Sequence, residues 1–452
     1  MVEQRDGNVM PDEATSDLEG SGSWRQRWEI IVLAMMYVGY AALMLCRNTL
    51  ITASATMTRE GFLNKATYGR LMSLHSAGSI AGKIVTGVGA DRIGGRRMFL
   101  LALALTAAAN AAFGMTSSLL LLGSLNFLGQ FFKSGGWPAM AKIIGEWYSK
   151  KKHGRVWSII STSSRVGTIA AGLIVGFLLS LISWRAVFTV SALVTGFVVI
   201  PAWFWLKERP ADVGLASPEE EQPEDEGDVQ NREPHPLDGT TLPQACLVFA
   251  GSVRVWLICL SLTFLTILMD FVIFVPIYLN EALEIDPDRA GMAMSIFPAG
   301  MFVALVVTSA LYDRLSKRQL VLVLGGLLGM SCLCVLLLWN LGNLPLPPQM
   351  NLPVAMAAIF AFGFTVAPAY YVPMSVFSIA FGGKHSGFLI SLIDVFGYVG
   401  SMVFTFFGGS IAADFGWPVF LTVLLTITAL ALVTVTAFLF MDARATDRSR
   451  SE

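Results

Sequence analysis

Apolar residues gather into about twelve runs, each near the roughly 20 residues that a helix needs to cross a bilayer. Short stretches rich in charge, glycine or proline separate them. The first six runs cover about 28–50, 67–88, 98–115, 118–140, 155–180 and 184–206, and the second six about 254–279, 291–311, 318–340, 352–378, 386–410 and 417–440. Between the two sets, Lys207 to Gly239 includes Pro218-Glu-Glu-Glu-Gln-Pro-Glu-Asp-Glu-Gly. That stretch is acidic and short of large apolar side chains, which is the composition of a disordered linker. The pattern predicts an all-α membrane protein with twelve transmembrane helices in two six-helix halves. The expected segments are a polar tail (1–24), the first half (25–206), an acidic linker (207–245), the second half (246–441) and a polar tail (442–452).

Composition agrees with lipid as the solvent. The 452 residues are 54% hydrophobic and 14% charged, against about 25% charged in ordinary soluble domains. A net charge of −1 offers no general basic face for nucleic acid. Residues 1–23 lack the apolar core of a signal peptide. The five cysteines lie in or beside apolar runs without metal-site spacing and read as small buried hydrophobes. His75, His153, His235 and His385 are scattered, and no nucleophile–base constellation marks an enzyme. Neither a cofactor nor a metal is expected.

Lys and Arg concentrate in the loops on one side, among them Arg25, Arg96, Arg97, Lys150, Lys151, Arg155, Arg318, Lys384 and Arg444. The opposite loops hold few, such as Arg59, Lys65 and Arg289. By the positive-inside rule both termini are expected in the cytoplasm, and a plasma or inner membrane is the expected host.

The halves also look duplicated. The loop after span 2 carries Asp91-Arg92 and the loop after span 8 carries Asp313-Arg314, an offset of 313 − 91 = 222. Span 6 opens with Trp184 and span 12 with Trp417, an offset of 417 − 184 = 233. Lys152-His153 before span 5 is matched by Lys384-His385 before span 11.

The Gly87–Arg97 loop resembles the signature loop of the major facilitator superfamily, with a degraded copy after span 8. Tyr40, Arg47-Asn48, Lys83, Gly135-Gly136-Trp137-Pro138, Ile160-Ser-Thr-Ser163 and Glu208-Arg209-Pro210-Ala211-Asp212-Val213-Gly214-Leu215 are similar to the organophosphate:phosphate antiporter branch. That branch includes glycerol-3-phosphate and sugar-phosphate exchangers. The resemblance implies two pseudo-symmetric halves around a central cavity, with spans 3, 6, 9 and 12 outside. The interiors of those four spans carry no charge.

Ionisable side chains inside spans are costly, so they tend to face a cavity or a partner. Here they are Arg47, Lys83, Lys133 and Arg165 in the first half, and Asp270 and Asp394 in the second. Arg47 follows Trp28 by 19 residues, about 28 Å of helix, which fits either an interfacial arginine or an interior one if the helix continues to Met57. The resemblance implies that Arg47 binds phosphate, a task suited to a permanently charged planar fork. Arg165 sits near the middle of span 5, where the family often has histidine. Lys83 and Lys133 either reach substrate or extend their stems to water; Tyr40 is a further candidate contact.

The family's best-defined phosphate sites have a second arginine on span 7. This chain has Leu268-Met269-Asp270-Phe271 there, ahead of Pro276-Ile-Tyr-Leu279. Asp270 and Asp394 are expected to pair with Arg47 and Arg165 as gates, to take protons, since a low-dielectric cavity favours the neutral carboxyl, or to contact a cationic part of the substrate. Asp91, Arg92, Asp313 and Arg314 are the expected conformational latch. The leading expectation is a monomeric carrier of a phosphorylated organic anion, in exchange for inorganic phosphate, by alternating access. Alternatives are a proton-coupled carrier of a non-phosphorylated organic anion or zwitterion, and a transporter-like membrane sensor of sugar phosphate.

Overall fold

Polar caps and glycines set where the spans begin and end. Asn64 accepts from the Thr67 amide and starts span 2. Ser183 does the same for span 6 through Ala186, and Ser316 for span 9 through Gln319. Gly94, with φ of +93°, allows the turn between spans 2 and 3. The computed structural model describes residues 13–217, 237, 239–312, 315–345 and 347–449.

The described residues form helices and no strands. Span 1 is Glu13–Arg59, span 2 Lys65–Ile93 and span 3 Gly95–Met115. Span 4 is broken into Leu119–Lys133 and Gly136–Trp147; span 5 is Lys150–Leu179 and span 6 Trp184–Trp205. A short helix, Leu242–Gly251, precedes span 7, which is broken into Val253–Met269 and Phe271–Ala282. Span 8 is broken into Pro287–Ala293 and Ile296–Tyr312. Spans 9 to 12 are Lys317–Asn340, Pro348–Gly382, Ser386–Asp414 and Gly416–Ser449. Ten of the twelve are long and apolar enough to cross a membrane by themselves. The other two are span 2, diluted by glycine, serine and lysine, and the broken span 4.

Duplication in sequence is duplication in packing. A Cβ on Gly78 of span 2 would lie 2.3 Å from the Phe127 carbonyl oxygen of span 4. A Cβ on Gly300 of span 8 would lie 2.1 Å from the Phe360 carbonyl oxygen of span 10. The offsets, 300 − 78 = 222 and 360 − 127 = 233, are those of the Asp-Arg and Trp landmarks. Trp184 donates its indole N–H to Glu60 at 2.9 Å, and Trp417 donates to Glu281 at 2.9 Å. Each tryptophan thus ties the first helix of its half to the last.

One apolar core holds the halves together at the end distant from the termini. It includes Leu50, Ile51, Tyr68, Leu71 and Phe188 of the first half with Phe271, Phe274, Met294 and Phe404 of the second. At the terminal end a separate cluster, with Val32, Met36, Leu43, Phe99, Ile143 and Trp147, belongs to the first half alone. The shared end is tightly packed. A Cβ on Gly409 would be 2.2 Å from the Lys65 carbonyl oxygen, so spans 2 and 11 meet backbone to backbone. Ser295 of span 8 donates to the Ile169 carbonyl of span 5 at 3.1 Å. Two ion pairs cross the distal rim, Lys65–Glu281 at 2.8 Å and Arg59–Asp286 at 3.8 Å. The halves are therefore sealed distally.

Candidate substrate site

Span 1 continues to Arg59, so Arg47 lies 59 − 47 = 12 residues inside the helix end, or about 18 Å along it. That depth favours the interior reading of Arg47 over the interfacial one. Its Nε has no hydrogen-bond partner. Beside it is a small cavity of about 20 Å³, lined by Asn110, Asn126 and Gln130 and also by Leu50, Phe113, Leu125 and Phe188, enough for one water. Lys133 is 9% exposed, and its Nζ sits 5.6 Å from the Tyr40 ring centre. Neither cation has a carboxylate partner among the described residues.

His75, set aside in the sequence as one of four scattered histidines, joins this group. It is 4% exposed, its Nδ1 lies 3.4 Å from Asn126 Oδ1, and its Nε2 has no partner. Arg47 and Lys133 are both close enough to act on it electrostatically. The available signal was its position eight residues before Lys83 on the same helix, near enough to two turns to share a face.

Lys83 and Asp394 form an ion pair between spans 2 and 11. Lys83 also lies 4.3 Å from the Tyr398 ring centre. Arg165 donates to the Ser161 carbonyl at 2.6 Å and to Ser164 Oγ at 3.1 Å, and stacks 4.4 Å from the Tyr371 ring centre. The geometry thus differs from the expected pairing of the aspartates with Arg47 and Arg165. Span 2, tightly docked on span 11, brings Lys83 to Asp394, whereas Arg165 on span 5 faces span 10. Asp270 occupies the break in span 7. It is within electrostatic reach of Arg47 and near Ser401, whose hydroxyl is 2.8 Å from that of Ser76. Either hydroxyl can donate in the Ser76–Ser401 contact, and Ser76 also donates to the Met72 carbonyl at 3.4 Å. The Asp270 Oδ2 has no partner.

The six charges and Tyr40 form one electrostatic group. Tyr40 senses Arg47, Lys83 and Arg165; Lys133 senses Arg47 and Lys83; Asp394 acts on Lys83. Every sequence-chosen cavity residue is in it. The expected latch is not. Asp91 and Arg92 are exposed and, among the described residues, in no ion pair. Their loop is instead held by Glu208, which accepts the Gly95 and Arg96 amides at 2.7 Å each, while Arg96 donates to the Leu206 and Trp203 carbonyls at 2.6 Å each. A carboxylate at the start of span 3 satisfies free amides and suits the helix dipole. Glu208 opens the motif noted after span 6, but its partners were not evident from it. Asp313 and Arg314 lie outside the described residues.

A family model described as Major Facilitator Superfamily matches residues 36–281 and 258–452. A probable hexose phosphate transport protein of Chlamydia trachomatis serovar D is 23% identical over 429 residues, covering 90% of each chain. The membrane sensor protein UhpC of Escherichia coli K12 is 23% identical over 393 residues, covering 86% of this chain and 85% of the relative. The glucose-6-phosphate exchanger SLC37A2 of Danio rerio is 25% identical over 199 residues, 40% of each chain. In fold, the chain is similar to a bacterial homolog of the human lysosomal transporter Spinster, with a TM-score of 0.68, 16% identity, and coverage of 92% of this chain and 97% of that one.

Proposed function

The chain belongs to the Major Facilitator Superfamily, and from that premise we propose that it carries a phosphorylated organic anion, of the sugar-phosphate or glycerol-3-phosphate type, in exchange for inorganic phosphate. One observation carries this reading. Four basic side chains (Arg47, Lys83, Lys133, Arg165) and two carboxylates (Asp270, Asp394) lie in the spans within electrostatic reach of one another, a formal excess of 4 − 2 = 2 positive charges. A phosphate monoester carries about −1.5 to −2 at neutral pH, which matches that excess. An unpaired buried charge costs several kcal/mol, so the empty site favours an anion that neutralises it.

Arg47 grips two phosphate oxygens with its fork, and Lys133 and the Tyr40 hydroxyl supply further donors. Lys83 is shared: an incoming phosphate competes with Asp394 for it. Winning that competition loosens an ion pair between the halves and lowers the barrier to rocking around the site. The Lys- and Arg-rich loops support cytoplasmic termini, so this conformation faces the cytoplasm of a plasma or inner membrane. The names of the hexose-phosphate and glucose-6-phosphate relatives support the substrate class. One relative is a sensor by name, and a sensor binds without turnover.

Counterflow separates these readings. Proteoliposomes loaded with phosphate are expected to take up labelled phosphate and to exchange it for glucose 6-phosphate or glycerol 3-phosphate. Binding of organophosphate without exchange makes the protein a sensor. Neither binding nor exchange, in protein that exchanges another organic anion, overturns the phosphate reading.

A further inference from the structure

The two walls of the cavity ask for different ends of one molecule. Between their end turns, spans 7, 8, 10 and 11 carry two charged side chains, Asp270 and Asp394, and both are acidic. Three tyrosines share that wall: Tyr370, Tyr371 and Tyr398. Its chemistry is visible in what it already holds. Tyr371 seats the Arg165 guanidinium at 4.4 Å, and Tyr398 seats the Lys83 ammonium at 4.3 Å, with Asp394 paired to the same lysine. Aromatic faces beside carboxylates are a recurring way to hold a cation. Asp270 is the member of the wall with capacity left. Its Oδ2 is buried and has no partner. A free carboxylate oxygen within electrostatic reach of Arg47 repels a plain dianion, and attracts an anion whose far end donates.

We propose that the carried anion is a phosphate monoester that also bears a primary ammonium, its phosphate seated on Arg47 and Lys133 and its ammonium on Asp270 beside the tyrosine wall. This rests on the organophosphate reading above and narrows it. The ammonium completes the unpartnered Asp270 oxygen while the phosphate completes the unpartnered Arg47 Nε. Both walls are then satisfied by one zwitterionic ligand lying across the two halves.

The test compares two probes of equal size, glucosamine 6-phosphate and glucose 6-phosphate, as competitors of phosphate counterflow in proteoliposomes. Calorimetry on the detergent-solubilised full chain measures their binding in parallel. The amino compound is expected to bind and compete at least tenfold better. In Asp270→Asn that ratio is expected to fall to within about twofold, read by calorimetry whatever turnover the variant retains. Equal affinity of the two probes in the unmodified protein overturns the proposal and leaves the organophosphate reading standing. A preference that persists in Asp270→Asn overturns the assignment to Asp270. Failure of both probes to bind or compete sinks the proposal together with the reading beneath it.

Discussion

Gly78 meets the Phe127 carbonyl in the first half, and Gly300 meets the Phe360 carbonyl in the second. Trp184 and Trp417 each bond a glutamate at 2.9 Å. The two halves therefore keep the same backbone contacts at the same sequence offsets. Their cavity faces have gone opposite ways, four cations on one side and two carboxylates with three tyrosines on the other. Close helix packing tolerates few substitutions, because an added atom has nowhere to go. A cavity wall tolerates many, because a side chain there answers to water and ligand rather than to a neighbouring helix. Duplication thus explains the scaffold, and the function lies in what the copies no longer share.

The largest effect is expected at Arg47, the guanidinium proposed to grip the phosphate. Arg47→Lys keeps the charge and loses the bidentate fork. Organophosphate counterflow is expected to fall at least a hundredfold, about 2.7 kcal/mol, with the purified protein still monodisperse. A variant exchanging at the normal rate would remove the asymmetry between the walls as the basis of recognition.

Gly78→Ala and Gly300→Ala come next and test the shared scaffold. Each added methyl would stand 2.3 Å or 2.1 Å from a carbonyl oxygen, where the helices must separate. Each is expected to cost about 1–3 kcal/mol, seen as a lower melting temperature in detergent, and by similar amounts. A harmless substitution in one half and a severe one in the other would show that the packing repeat is not a mechanical repeat.

A third, smaller effect concerns the pair that joins the walls. Lys83→Ala is expected to raise the KM for organophosphate about tenfold, or about 1.4 kcal/mol, because a phosphate contact is lost. Asp394→Asn removes the competitor for Lys83 and is expected to lower KM severalfold while slowing turnover. The double variant then measures their coupling. Additivity within about 0.3–0.5 kcal/mol would mean that phosphate does not compete with Asp394.

Much of this is legible in the amino-acid sequence. Length and hydropathy of the runs are local properties, and the lipid environment leaves helices as the natural way to satisfy the backbone. The repeat was legible because it lies in conspicuous residues, Asp-Arg and Trp. The cavity charges stood out because an arginine such as Arg165 mid-span has little other use. Pairing was not legible. Lys83 meets Asp394, and Ser76 meets Ser401, because spans 2 and 11 run antiparallel at a fixed register, 83 + 394 = 76 + 401 = 477. Register depends on which glycines let two backbones touch, here Gly69 and Gly409, and nothing within either span announces its partner. The break at Asp270 was hidden for a related reason, since Met269 and Phe271 on either side are good span residues. Glu208 was visible as part of a motif but not as a cap, because its partners, the amides of Gly95 and Arg96, lie 208 − 95 = 113 residues or fewer upstream.

The smallest effect distinguishes the copies of one hydrogen bond. Trp184→Phe and Trp417→Phe each delete one indole N–H and preserve most of the packing, a change of about 0.5–1.5 kcal/mol. Their consequences differ because the two glutamates differ. Glu60 bonds Trp184 inside the first half. Glu281 accepts from Trp417 and from Lys65 of the opposite half at 2.8 Å, so it is both an internal brace and a clasp across the distal rim. Losing Trp184 is expected to lower the melting temperature with little change in the balance of conformations, because both orientations of the halves need that brace. Losing Trp417 frees Glu281 to swing, weakening the Lys65 clasp that exists only while the distal end is closed. The expected result is a few-fold greater reactivity of a cysteine placed at Met294, buried in the distal core, toward an impermeant maleimide, compared at equal stability with Trp184→Phe. Equal reactivity in the two variants would make Glu281 a brace alone, and would return closure of the distal end to the apolar core formed by Leu50, Phe271 and Met294.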